Sequence, residues 1–266
     1  AREGEEQLEL PDAREEGNLG HEALAAAFVA TRVEWALRPR DAARIMAKGL
    51  AAAEEALAKS AGHAPLRAIV RLRVRESVRA VLLRALEDET WDFALAEQAF
   101  GRDKKWPEFA ASGAVSGSAS SAASSAASSA LSGAELWLRG SVDRIDRAHD
   151  GSSVRVIDYK RSKSTVQSSM QSLGEAAIQV PVYAAVARRN LSLPATGIYL
   201  PTQPRDLAAP SPRPKEDRVA ALAAGTPSEI EARVVALAVG ARSGRFAPLP
   251  VRESECTFCS VSGGCR

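Results

Sequence analysis

The stretch from Leu136 to Lys160 constrains the fold of this chain more than any other. There "ELWLRGSVDRIDRA" and "SSVRVIDYK" leave the helical spacing of the first hundred residues for the pattern of strands, with His149, Asp150 and Gly151 as turn residues between them. The pattern predicts an antiparallel hairpin, and with it a sheet that helices must cover. Residues two apart on a strand share a face, so Asp158 and Lys160 project together while Ile157 and Tyr159 face the other way. Packing alone does not explain an acid and a lysine at the end of so apolar a run.

The flanking sequence supplies the helices. "HEALAAAFVATRVEWAL" predicts an amphipathic helix that buries Leu24, Phe28, Val29, Trp35 and Leu37 and ends at Pro39, with His21 at its start. An Ala-rich helix runs from about Asp41 to Lys59, and a long one from near Pro65 carries Ile69, Leu72, Val78, Leu82 and Leu86. "WDFALAEQAF" reads as a further turn or strand. From about 107 to 134 the composition collapses into Ala, Ser and Gly, which predicts a flexible insertion without chemistry of its own.

Beyond the hairpin, "GEAAIQVPVYAAVARRN" resumes helical spacing, with a kink expected at Pro181, and "ATGIYLPT" offers a short strand. A last helix in "TPSEIEARVVALAVGARSG" has a capping box in Thr226, Pro227 and Glu229. Helices, hairpin, helix, strand and helix in that order predict an α/β or α+β core with a helical front end, forming one unit over residues 1–266.

Net charge is +2, from 35 Lys and Arg against 33 Asp and Glu, so bulk charge decides nothing about a nucleic-acid partner. No apolar run reaches the roughly 20 residues of a membrane helix, and the start has no signal-peptide pattern; the sequence reads as cytosolic. It also reads as a segment of a longer chain, since it begins without Met. Cys256, Cys259 and Cys265 close it in the spacing of zinc or iron-sulfur ligands, one short of the usual four.

The chemistry lies in a series of residues. Asp143 in "GSVDRIDR" and Asp158 in "VIDYK" converge from paired strands, where two carboxylates raise one another's pKa unless a cation lies between them. Magnesium is held by such carboxylates together with waters and phosphate oxygens, and a neighbouring Lys160 can orient the water or neutralise developing charge. Gln179 and Tyr183, one helical turn apart, share a face. Each residue also has a plainer reading: Asp143 pairing with Arg144 or Arg147, Asp158 and Lys160 as a same-face ion pair, Tyr183 as core. His63 and His149 are assigned no role.

Together the motifs resemble the PD-(D/E)xK nuclease superfamily and within it the RecB-like branch: "GNLGH" its histidine motif, "GSVDRID" and "VIDYK" its acidic motifs, "QVPVY" its Q-x-x-x-Y motif. The tail is similar to the end of iron-sulfur nucleases of the AddB type. The resemblance implies a restriction-endonuclease-like core, a mixed central sheet flanked by helices. It implies that His21, Asp143, Asp158 and the Tyr159 carbonyl bind Mg2+ or Mn2+, that Lys160 is catalytic, and that Gln179 and Tyr183 hold DNA. It implies that the three cysteines bind a 4Fe-4S cluster whose fourth cysteine lies outside this sequence. The function implied is nucleolytic processing of double-strand ends within a helicase-nuclease of the bacterial cytoplasm. The alternatives are a catalytically silent DNA-binding module and a free-standing nuclease of the CRISPR-adaptation type.

Overall fold

The computed structural model describes residues 13–60, 65–111, 136–171 and 178–207, together with 234, 235 and 238. In chain order its elements are α1 (Ala13–Ala30), α2 (Arg32–Ala36), α3 (Ala42–Ser60), α4 (Pro65–Leu86), β1 (Trp91–Phe100), β2 (Phe109–Ala111) and β3 (Leu136–Leu138). They continue with β4 (Gly140–Ala148), β5 (Val154–Lys160), α5 (Lys163–Gln171), α6 (Gln179–Leu191), β6 (Ala195–Pro201) and α7 (Pro204–Leu207). Among the described residues no helix is long and apolar enough to cross a membrane.

Four strands form one mixed sheet in the order β1-β4-β5-β6. The first two pairings are antiparallel and β5 runs parallel to β6, as a crossover through α6 requires. Strands β2 and β3 make a separate two-stranded ribbon. One face of the sheet is covered by α1, α3 and α4, where Phe28, Trp35, Ile45 and Leu82 pack with Phe93, Ile157 and Tyr159. The other is covered by α6, whose Val180, Val182 and Val186 share a core with Val154, Val156 and Tyr199. Strand β5 is therefore buried on both faces, which is why it reads as a nearly continuous apolar run. This is the α/β architecture predicted above, with its helical front end.

Two glycines set the spacing of the layers. A Cβ on Gly49 would lie 2.9 Å from Leu82 Cδ1, so its absence lets α3 sit close to α1 and α4. On Gly197 in β6 it would lie 2.4 Å from Val180 Cγ1 and 2.7 Å from Val156 Cγ2. The start of α6 rests on the sheet only because that position is bare.

The structure corrects several expectations. Helix α1 begins at Ala13, so His21 lies in its interior and not at its start; Gly17 and Gly20 weaken the local helical signal, while Glu15 and Glu16 favour the helix N-terminus electrostatically. Trp35 is buried from the separate helix α2. Val29, Leu37, Ile69 and Leu72 are exposed, and α4 turns Val70, Val74, Val78, Val81 and Leu82 inward. The insertion expected from 107 begins later, since Phe109–Ala111 pairs with Leu136–Leu138; residues 112–135 lie outside the described residues.

Segment 91–100 is a full strand, and the predicted first hairpin strand is interrupted at Arg139. Pro181 falls in the first turn of α6, where its missing N–H has no intrahelical partner to lose, so the reason for expecting a kink disappears. The cap at Thr226, Pro227 and Glu229 lies outside the described residues.

Candidate active site

The site lies where the sheet divides. The β4–β5 ladder pairs Arg147 with Val154 and ends on the rung Arg144–Ile157. The next rung in that register would set Asp143 opposite Asp158. Like charges directly opposite one another are unfavourable, and the strands part there. Residues 140 to 142 of β4 pair with β1, and residues 158 to 160 of β5 pair with β6. The N–H of Tyr159 donates to Asp143 Oδ2 at 3.0 Å, so the carboxylate spans the opening.

Each acid has a basic partner in reach. His21, reaching over from α1, places Nδ1 3.2 Å from Asp143 Oδ2, and its ring stands edge-on to Tyr159 at 6.0 Å. The bond to Asp143 raises the His21 pKa against the opposing effect of burial, helped by the charges of Asp143, Asp158 and Glu97. Asp158, only 3% exposed, is paired with Lys160. Burial pushes its carboxyl above the usual range; Lys160 pulls it back and Asp143 adds to the rise. Asp158 Oδ2 receives no well-aligned hydrogen bond despite that pairing.

Helix α6 closes one side, because Val180 seats on Gly197 and so carries Gln179 over the sheet. Lys160 Nζ donates to Gln179 Oε1 at 3.3 Å and lies 5.3 Å from the centre of the Tyr199 ring. One turn on, Tyr183 meets Phe100 edge to face at 6.1 Å, and a Cβ on Gly140 would lie 3.0 Å from Phe100 and 3.7 Å from Tyr183. Burial pushes the Tyr183 hydroxyl up to about 12, with the charges of Asp143 and Asp158 contributing. The structure thus gathers His21, Asp143, Asp158, Lys160, Gln179 and Tyr183 from four elements.

Glu97 is the residue that sequence reasoning missed. It sits in β1 at the register position of Asp143, since Ala96 pairs with Arg144 and Gln98 with Val142. Its φ is +46°, a left-handed conformation unusual for a non-glycine residue. Ser141 Oγ donates to Glu97 Oε2 at 2.9 Å, and burial followed by the charge of Asp143 raises its pKa against that bond. Laying "WDFALAEQAF" antiparallel to "GSVDRIDRA" would have paired the two acids, but a register irregularity between Phe93 and Leu95 hides the alignment.

Among the described residues no group of three or more His, Cys, Asp or Glu side chains is arranged to hold a metal ion. Asp143 is closed by His21, and Asp158 by Lys160. The basic side chains of His21 and Lys160 thus stand against the two carboxylates. The donor set itself fits a hard divalent ion: two carboxylates and an imidazole, with Asp158 buried and incompletely hydrogen-bonded. The cysteine trio and His63 lie outside the described residues, and His149 bonds Asp92 at 2.9 Å.

A family model described as the PD-(D/E)XK nuclease superfamily matches residues 2–266, nearly the whole chain. No curated protein matches the sequence.

Proposed function

Since the chain belongs to the PD-(D/E)XK nuclease superfamily, we propose that it hydrolyses phosphodiester bonds of DNA with Mg2+ or Mn2+ at the divided end of its sheet. The observation that carries this reading is the Tyr159 N–H bond to Asp143, which ties the two acid-bearing strands together beside Lys160. His21, Asp143, Asp158 and the Tyr159 main-chain carbonyl are the groups that would hold the cation. A bound divalent ion supplies Lewis acidity toward a phosphoryl oxygen and a more acidic water.

The protein's own residues do the rest. Lys160, held between Asp158 and Gln179, directs an ammonium toward the reacting phosphate, where it orients the water and offsets developing negative charge. Gln179 fixes that ammonium and, with Tyr183, grips the strand beside the scissile bond. Asp143 pairs with His21 and Asp158 with Lys160, so the carboxylates that would hold the ion also orient the imidazole and the ammonium.

The finer reading follows the motifs: an AddB-type nuclease of the RecB-like branch, in a cytoplasmic helicase-nuclease that resects double-strand ends, with Cys256, Cys259 and Cys265 on a 4Fe-4S cluster. The test is Asp158→Asn and Lys160→Ala assayed on linear DNA with Mg2+ and with Mn2+. Both should abolish cleavage while circular dichroism stays unchanged, and wild-type rates in either variant would discard the assignment. A second reading, a silent DNA-binding module, draws on the pairing of both carboxylates with His21 and Lys160. Binding of DNA by the wild type without cleavage in either metal would favour it.

A further inference from the structure

At the end of β1 and β4 that lies away from the divided part of the sheet, two arginines and a histidine converge on one carboxylate. Arg38 and Arg40, from the segment between α2 and α3, and His149, from the turn after β4, all reach Asp92 near the start of β1. The four side chains line a cavity of about 310 Å³. We propose that this cavity is an anion site that takes a phosphate group, held by Arg38 and Arg40 with His149 at its rim. The site shares no residue with the nuclease site and does not rest on the nuclease reading: Asp92 pairs with Arg147, four residues along β4 from Asp143.

The charges point to an anion. Two guanidiniums, permanently charged, face a single carboxylate, so the cluster carries surplus positive charge whatever the state of the imidazole. Burial, and then the charge of Arg38, hold the Arg40 pKa below its ordinary value, so the two arginines repel one another. Asp92 separates them, and Arg40 Nε is buried without a hydrogen-bond acceptor among the described residues. The acids adjacent in sequence are engaged elsewhere. Asp41 caps the Arg44 amide at 2.9 Å, and Asp150 accepts from the Ser152 amide and hydroxyl within its own turn.

The donors are also held in place before any ligand arrives. Trp35, buried from α2, anchors both arginines: its carbonyl accepts from Arg38 Nη1 at 2.8 Å, and its ring centre lies 5.2 Å from the Arg40 guanidinium. The Leu37 carbonyl takes a second bond from Arg38 Nη1 at 2.9 Å. His149 is fixed through its main-chain N–H, which donates to the Thr90 carbonyl at 3.0 Å. Forked N–H donors fixed in advance suit the tetrahedral oxygens of a phosphate. The Arg38 and His149 side chains are 55% and 43% exposed, so the cavity is reached from solvent. Its volume falls at the small end of the roughly 300–1,000 Å³ range of ligand sites, enough for a phosphate ester and too little for a large cofactor.

Phosphate oxygens come from a free phosphate ester or from a nucleic-acid backbone, and one experiment separates the two. Inorganic phosphate is titrated by calorimetry in EDTA, at constant ionic strength with chloride as control, into wild type, His149→Glu and Arg38→Gln. His149→Glu places a second carboxylate in the cavity and should weaken phosphate binding by about tenfold or more; Arg38→Gln should weaken it by about fivefold. Absence of binding by the wild type, or wild-type affinity in either folded variant, would overturn the proposal. So would a loss in Lys160→Ala alone, which would put the phosphate at the nuclease site. Should one cluster variant fail to fold, the other decides. The same proteins are titrated against a labelled duplex in EDTA. A slope of log affinity against log salt that is smaller by about one in Arg38→Gln assigns the site to a backbone phosphate. An unchanged slope, with inorganic phosphate binding lost, assigns it to a free phosphate ester.

Discussion

Asp143 and Asp146 stand three residues apart on β4, and their surroundings differ in every respect that matters. Asp146 is 0% exposed and fully engaged: Arg144 donates from Nε at 2.6 Å and from Nη2 at 2.9 Å, and Arg155 adds a bond at 2.8 Å before passing to Asp88 at 2.9 Å. The Arg144 guanidinium also lies 4.4 Å from the centre of the Phe28 ring. Asp143 faces an opening, and its partners are one amide and one imidazole. The contrast recurs along the network. Burial raises the Asp88 carboxyl, but the hydrogen bond and charge of Arg155, with the amides of Thr90 and Trp91, outweigh it and leave the group below its usual range. Asp158 is left above that range because burial outweighs Lys160. A satisfied acid is scaffold, and an acid that the fold leaves short of partners is available for chemistry.

Mutation should separate the two sets, with the largest effect in the network. Asp146→Ala leaves Arg144 buried without its counter-charge and should cost about 3–5 kcal/mol in urea unfolding, enough to threaten folding. A loss below about 1 kcal/mol would show that the network is not scaffold. Next is Gly197→Ala, which drives a methyl into Val180 and Val156. It should cost about 1–3 kcal/mol and also reduce cleavage, because Gln179 moves with Val180; reduced stability with full activity would separate the seat of α6 from the site.

Glu97→Gly acts in the opposite direction. It removes both a left-handed non-glycine conformation and a carboxylate facing Asp143, so thermal melting should show stabilisation of up to about 1 kcal/mol. Destabilisation would mean that Glu97 belongs with the scaffold. The smallest effect is a pH dependence. Because the folded Asp88 carboxyl is depressed, its stabilisation is complete above the ordinary carboxylate value of about 3.9 and is lost as pH falls through the lower folded value. Asp88→Asn should remove that part of the acid dependence, worth about 1 kcal/mol or less, and leave the curve near neutrality parallel to wild type.

Much of the site was legible because it is written in short-range patterns. Alternation through "VRVIDYK" puts Asp158 and Lys160 on one face, and four-residue spacing puts Gln179 and Tyr183 on another. What the sequence concealed depends on long-range register. Glu97 meets Asp143 only after an irregular strand pairing. The choice of Arg144 for Asp146, and not for Asp143, depends on which face of β4 lies against Phe28. Helical periodicity likewise marked Ile69 and Leu72 as core, because a long helix with apolar residues on several sides does not announce which side meets its neighbours. The interior position of His21 was hidden as well, because Gly17 and Gly20 are poor helix formers and weaken the helical signal of the first turns of α1.

The rung Arg144–Ile157 is the last one the two halves of the sheet share. It therefore works like the rivet of a pair of tongs, with β1 and β4 as one arm and β5 and β6 as the other. Whatever wedges between the jaws strains that single pair of residues first. Arg144 is clamped beneath it by two bonds to Asp146, so the pivot is firmly anchored, while a single amide bond from Tyr159 to Asp143 spans the jaws beyond it.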